Sequence, residues 1–195
     1  MMKQGHRFLA FISILGVVAL SACASGLKPT KFINPKFNFA YVERVAVLPF
    51  ANFSHDSEAG PRATRMMITE LLATGAVDVV EPGEVQAALD KFGNRVITPS
   101  TEQIVALGKE LKVQAVIQGS VTQSEVMRSG LVGIPVVSLD VHMIETDSGA
   151  AVWAASVTKK GSSLAAKILG TGGEPISETT QRAIRELVAT LMSKR

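Results

Sequence analysis

The sequence has 195 residues, 47% hydrophobic and 19% charged, which is ordinary globular usage; collagen-like, low-complexity and wholly disordered chains are excluded, and one domain with appendages is expected. The formal net charge is +3, from 20 basic and 17 acidic residues, and Lys3 and Arg7 lie in an N-terminal segment that reads as removable, leaving 18 against 17 and a charge of +1. That is too little clustered positive charge for a phosphate-backbone binder, so nucleic acid is excluded as a partner.

Lys3, His6 and Arg7 precede an apolar run, Phe8 to Leu20, whose 13 residues suit a signal-peptide core and fall short of a spanning helix. The run ends at Leu20-Ser21-Ala22-Cys23, which resembles the bacterial lipobox: small residues admit the lipoprotein signal peptidase, and the cysteine becomes the lipidated first residue. The resemblance implies a signal peptide over residues 1–22 and a diacylglycerol and N-acyl (palmitate-type) lipid on Cys23, with no other cofactor. Cys23 is the only cysteine, so acylation there leaves no thiol for a disulfide, a metal or a nucleophile. Buried acyl chains contribute about 0.8 kcal/mol per methylene, so several make a stable anchor. Ala24 lacks the aspartate that retains lipoproteins in the inner membrane of enteric bacteria. The implied location is the periplasmic face of the outer membrane of a Gram-negative type cell.

Residues 23–43 read as a lipidated tether. Gly26, Pro29, Pro35 and three lysines interleave with Phe32, Phe37, Phe39 and Tyr41 without helical or strand periodicity. About 18 flexible residues reach roughly 25 Å on average and at most about 60 Å. The aromatic residues suit docking either at the lipid interface or on the folded domain.

The folded domain is expected over residues 44–195. Arg44-Val-Ala-Val-Leu-Pro-Phe50 reads as a buried strand stopped by Pro49. A polar loop from Asn52 to Gly60 leads to a helix over Pro61 to Thr74, stopped by Gly75. A short strand, Val77 to Glu81, meets Pro82, which suits the first turn of a helix carrying Val85, Ala88 and Leu89 on one side. Ser100 with Gln103 forms a capping-box pattern ahead of Ile104, Leu107 and Leu111. Val113 to Thr122 is a second β-branched run, expected parallel to an earlier strand. Val137, Leu139, Val141 and Met143 alternate with Ser138, Asp140 and His142, the period of a strand with one buried and one polar face. Asp147-Ser148-Gly149 turns the chain into an antiparallel partner, Ala151 to Lys159. Ser177 to Lys194 closes as a helix with Ile184, Leu187, Val188 and Leu191 inward. The order is βαβααβββα, a three-layer α/β/α sandwich with a mixed sheet of about five strands and helices covering both faces.

No constellation points to an enzyme. Ser54-His55-Asp56 holds the residue types of a nucleophilic triad, but neighbours in an extended loop project apart, whereas a triad assembles across space. His55, Asp56 and Glu58 lack a nearby second histidine or cysteine for a metal. His142 shares a strand face with Asp140 but lacks a third catalytic partner. Gly170 to Gly173 has no following lysine-serine pair and no strand delivering it into a helix, as a P-loop requires.

Four segments in order, Arg44-Val-Ala-Val-Leu-Pro-Phe50, Val79-Val-Glu-Pro-Gly-Glu-Val85, Val116-Ile-Gln-Gly-Ser-Val-Thr122 and Gly149-Ala-Ala-Val-Trp153, resemble the CsgG-like bacterial lipoproteins. That group includes the curli secretion component CsgG, the penicillin-binding-protein activator LpoB and GNA-type surface lipoproteins, with the TolB N-terminal domain as a structural cousin. The resemblance implies an α/β sandwich that works by docking to proteins, with no active site to carry over.

A CsgG-type channel requires spanning hairpins, here from Gln123 to Ile134 and Gly161 to Pro175, and spanning strands take about 9 to 11 alternating residues. About a dozen residues separate the strands ending near Thr122 and starting near Pro135, and Gly161 to Pro175 does not alternate. An LpoB-like activator spans the periplasm on a long linker, whereas the tether here is short. The expectation is therefore a non-enzymatic, outer-membrane-anchored periplasmic lipoprotein. It serves as an accessory or assembly factor for an envelope machine, through an envelope protein partner or self-association, with a CsgG-type oligomeric channel component as the rival. Candidate contact residues are Asn52, Phe53 and His55 in the first loop, and Met127, Leu131, Val132 and Ile134, apolar residues without a helical or strand home.

Overall fold

The computed structural model describes residues 28–93, 98–129, 132–161 and 174–193. In chain order these hold β1 (Thr30–Ile33), a 3₁₀ turn (Phe39–Tyr41), β2 (Arg44–Val47), β3 (Ala51–Asn52), α1 (Ala59–Thr74), β4 (Asp78–Val79), α2 (Pro82–Asp90), α3 (Thr101–Leu111), β5 (Ala115–Ser129), β6 (Val132–Glu145), β7 (Ala151–Lys160) and α4 (Ile176–Met192). The order βαβααβββα is realised from β2 onward if β3 is counted with β2. The expected signal peptide and Cys23 lie outside the described residues.

The sheet is mixed, with the order β1-β7-β6-β5-β2-β4 and β3 continuing beside β5, seven strands where about five are expected. β2 runs parallel to β4 and β5, as the helical crossovers require. β5, β6, β7 and β1 are successively antiparallel. Val45, Ala46 and Val47 are all buried, which fits a central parallel strand packed on both faces.

Caps act where the sequence places them. The Ser100 hydroxyl accepts from the Gln103 amide at 3.4 Å, and the Gln103 side-chain oxygen accepts from the Ser100 amide at 2.8 Å, closing the capping box. Gly149 adopts φ +71° in the β6–β7 turn. Gly108 lets α3 lie against the end of β6: a Cβ there would fall 2.3 Å from that of Thr146.

Two cores form, one on each face. α1 and α4 pack Met67, Leu71, Ile184 and Leu187 against Val45, Ile117, Leu139, Val141 and Trp153. On the other face α2 and α3 pack Val85, Leu89, Ile104 and Leu107 against Ala46, Leu48 and Val116. Among the described residues the second helical layer covers the β2–β4 half of its face. Beyond Val116 that face carries Gln118, Ser120 and Thr122 on β5, Ser138, Asp140 and His142 on β6, and Ala154, Ser156 and Thr158 on β7. Among the described residues the expected cover on both faces is thus half present, and the uncovered half of the sheet offers little apolar surface to bury.

The expected tether is corrected over residues 28–43. β1 adds to the sheet edge, with Thr30 opposite Ser156 and Ile33 opposite Trp153. Phe39 is 5% exposed and meets Phe37 edge-to-face at a centroid distance of 5.0 Å. The Tyr41 hydroxyl donates to Asp147 Oδ2 at 3.2 Å, tying the 3₁₀ turn to the β6–β7 loop. The rest of the expected tether, residues 23–27, lies outside the described residues.

Candidate functional site

β3 aims the first candidate loop. Its pairing with Ser120 and Val121 is extended by the Phe53 amide, which donates to the Val121 carbonyl at 2.9 Å. The Asn52 side chain then closes a local turn, its amide donating to the Asp56 carbonyl at 2.7 Å and its oxygen accepting from the Ser54 amide and hydroxyl at 3.0 and 2.7 Å. Asp56 is held from three sides: by the Arg62 guanidinium, by the Ser124 hydroxyl at 2.9 Å and by the Glu58 amide at 3.1 Å. Partial burial pushes the Asp56 carboxyl up, but the hydrogen bonds from Arg62 and Ser124 and the Arg62 charge outweigh it and hold it below the usual carboxylate range. Arg62 also reaches the Ser124 hydroxyl at 3.1 Å, so this cluster fastens the loop to β5.

Ser54 and Asp56 are therefore bonded to Asn52 and to Arg62 and Ser124, not to His55, and form no relay. His55 is exposed, and Phe53, at 71% exposure, stands clear of the body. Asn52 holds the turn that displays Phe53.

The second candidate segment has a strand home after all. β5 runs 15 residues and β6 runs 14, and their pairing continues past a bulge at Val121–Gln123 to Met127 opposite Ile134 and Arg128 opposite Gly133. Met127 and its neighbour Val126 are 49% and 57% exposed. Ile134 is half-buried and Val132 opens β6, while Leu131 lies outside the described residues. The hairpin escapes a sequence reading because its outer arms, Gln123-Ser-Glu-Val-Met-Arg128 and Gly133-Ile-Pro135, show no clean alternation.

Between loop and hairpin lies the open half of the sheet, which sequence reasoning missed as a surface. Phe53 borders two adjoining hollows there. One, of about 170 Å³, is lined by Ala51, Thr98, Gln118, Ser120, Asp140 and His142 besides Phe53. The other, of about 380 Å³, reaches Ser54, His55, Gln123, Glu125 and Ser138. Most hydroxyls on this face bond one another: Ser156 donates to Asp140, Ser138 and Thr158 lie 2.9 Å apart, and Ser138 donates to Gln123 at 3.2 Å. The Gln118 side-chain oxygen is the exception, buried without a hydrogen-bond partner among the described residues. The alternation that marked β6 as half-buried signalled this polar face, but not that it stays uncovered. Among the described residues no three His, Cys, Asp or Glu side chains gather as metal ligands do. Gly170 to Gly173 lies outside them.

No family model and no curated protein matches the sequence. Solved structures share its fold. A subunit of the PelC dodecamer from Paraburkholderia phytofirmans superposes with a TM-score of 0.61 at 22% identity, covering 84% of this chain and 96% of that one. Lipoprotein GNA1162 from Neisseria meningitidis gives 0.53 at 16% identity, over 77% of this chain and 99% of that one. The hypothetical protein CT253 from Chlamydia trachomatis gives 0.54 at 14% identity, over 78% and 97%. The fold is thus one that a solved lipoprotein has, which supports the sequence resemblance at that coarse level and not for CsgG in particular.

Proposed function

We propose that this chain is a non-enzymatic lipoprotein, anchored through Cys23 at the periplasmic face of the outer membrane, whose copies assemble with one another as an accessory part of an envelope machine. One observation carries the reading: the fold matches, across nearly its whole length, the subunit of a protein solved as a dodecamer, in a chain that also begins with a lipobox-like signal. The likeness to lipoprotein GNA1162 supports the envelope setting.

The geometry supports docking more than chemistry. The residue types of a triad stand side by side in Ser54, His55 and Asp56, but Ser54 and Asp56 are bonded to Asn52, Arg62 and Ser124, whereas an exposed phenylalanine, a sheet face left open by the described residues and a long hairpin with exposed Val126 and Met127 are features that other chains can cover. The rival channel reading needs the hairpin to face lipid. Its outer arms place Gln123, Glu125 and Arg128 where an apolar band would sit, which favours the accessory role. Cell fractionation tests the anchoring: the lipidated chain is expected in the outer-membrane fraction, and recovery in the soluble fraction with Cys23 unmodified overturns the reading.

A further inference from the structure

The smaller hollow brings together an exposed aromatic residue, Phe53, an acidic one, Asp140, and Gln118, whose side-chain oxygen is buried behind the lining without a hydrogen-bond partner among the described residues. Asp140 accepts from Ser156 through Oδ1 and has no ion pair among the described residues. A buried, unpartnered acceptor costs free energy that a bound donor recovers, and a guanidinium over an aromatic ring gains a further cation–π attraction. The neighbouring hollow adds Glu125, while among the described residues His142 and His55 are the only basic side chains lining either.

A cation of matching form stands at the other end of the same hairpin. Arg128 is exposed and without an ion pair among the described residues, and beside it Val126 and Met127 offer apolar surface. It cannot turn back into its own hollow. Ser120, on the hollow's wall, and Arg128 lie eight residues apart on β5, about 26 Å of extended strand. A second copy has no such restriction.

We infer that the hairpin end of one copy docks on the open sheet face of the next, with Arg128 entering the hollow between Phe53, Gln118 and Asp140 and Val126, on the same strand face as Arg128, covering Phe53. The inference rests on the self-assembly proposed above and names its contact. Tip and hollow are different surfaces, so the contact is head-to-tail and repeats into a ring or a filament.

Full-length lipidated protein in detergent tests it, with mass photometry as the readout and Trp153 fluorescence reporting that each variant is folded. Arg128→Asp and Asp140→Arg are each expected to raise the concentration needed for assembly by on the order of tenfold or more, and the double variant Arg128→Asp/Asp140→Arg to restore assembly. Co-expressed chains carrying Arg128→Cys and Asp140→Cys are expected to form a disulfide-linked dimer, and neither chain alone. Assembly that survives both charge reversals, with no disulfide, overturns the contact while leaving self-assembly standing. A wild-type chain that stays monomeric overturns both.

Discussion

Arg62 fastens the loop that displays Phe53 to β5. Its guanidinium bridges Asp56 and the Ser124 hydroxyl, and both ion-pair partners are largely withdrawn from solvent, with side-chain exposures of 14% for Arg62 and 25% for Asp56. Replacing Arg62 by Ala leaves Asp56 without its main partner and is expected to cost about 1–3 kcal/mol, read as a lower urea midpoint by Trp153 fluorescence. The same pair sets a pH dependence. The Asp56 carboxyl is held below its reference value of 3.8, so its contribution is present above that value and is lost as pH falls through the lower folded-state value. The wild type is expected to lose stability more steeply than Arg62→Ala as pH falls below 3.8, and equal slopes contradict the assignment.

At the scale of elements, the segment before β2 belongs to the fold. Phe39 is 5% exposed inside the larger core, and Phe39→Ala is expected to cost about 3–5 kcal/mol in thermal or urea unfolding. A change within about 0.5 kcal/mol would show residues 28–43 to be the free tether that their composition suggests. Gly108→Ala tests a second junction. The added methyl meets the short, buried Thr146 side chain, itself fixed by donating to the Val113 carbonyl at 2.7 Å, so a loss of about 1–3 kcal/mol is expected. Which elements could be read in advance follows from where the burial signal lies. Val45-Ala-Val47 and the alternation from Val137 to Met143 are strong because their side chains fill the cores, and Ser100 with Gln103 is legible because capping is local. β1 is not legible: its Thr-Lys-Phe-Ile sequence sits at a sheet edge with three of four residues exposed, so pairing rather than burial defines it. The hairpin's outer arms fail for the same reason. The candidate surface was legible in its parts, Phe53 and Met127, but the open sheet face exists only once the length of β5 and β6 is known.

For the whole molecule, one face of the sheet buries its apolar surface under α1 and α4, while the other is half covered among the described residues, and β5 and β6 run on into a long hairpin. With the proposed lipid anchor, exposed Phe53, Val126 and Met127 would find cover most simply in neighbours held in the same membrane plane, where anchoring raises the effective concentration of each copy for the others. Cys23→Ala is accordingly expected to remove the chain from the outer-membrane fraction and to weaken assembly at equal total protein, with Trp153 fluorescence unchanged because Trp153 is buried in the folded core. The most direct test of the account is the mass of the lipidated full-length protein extracted from the outer membrane in mild detergent. The account predicts a discrete assembly of many copies, and a monomer at every concentration would contradict it.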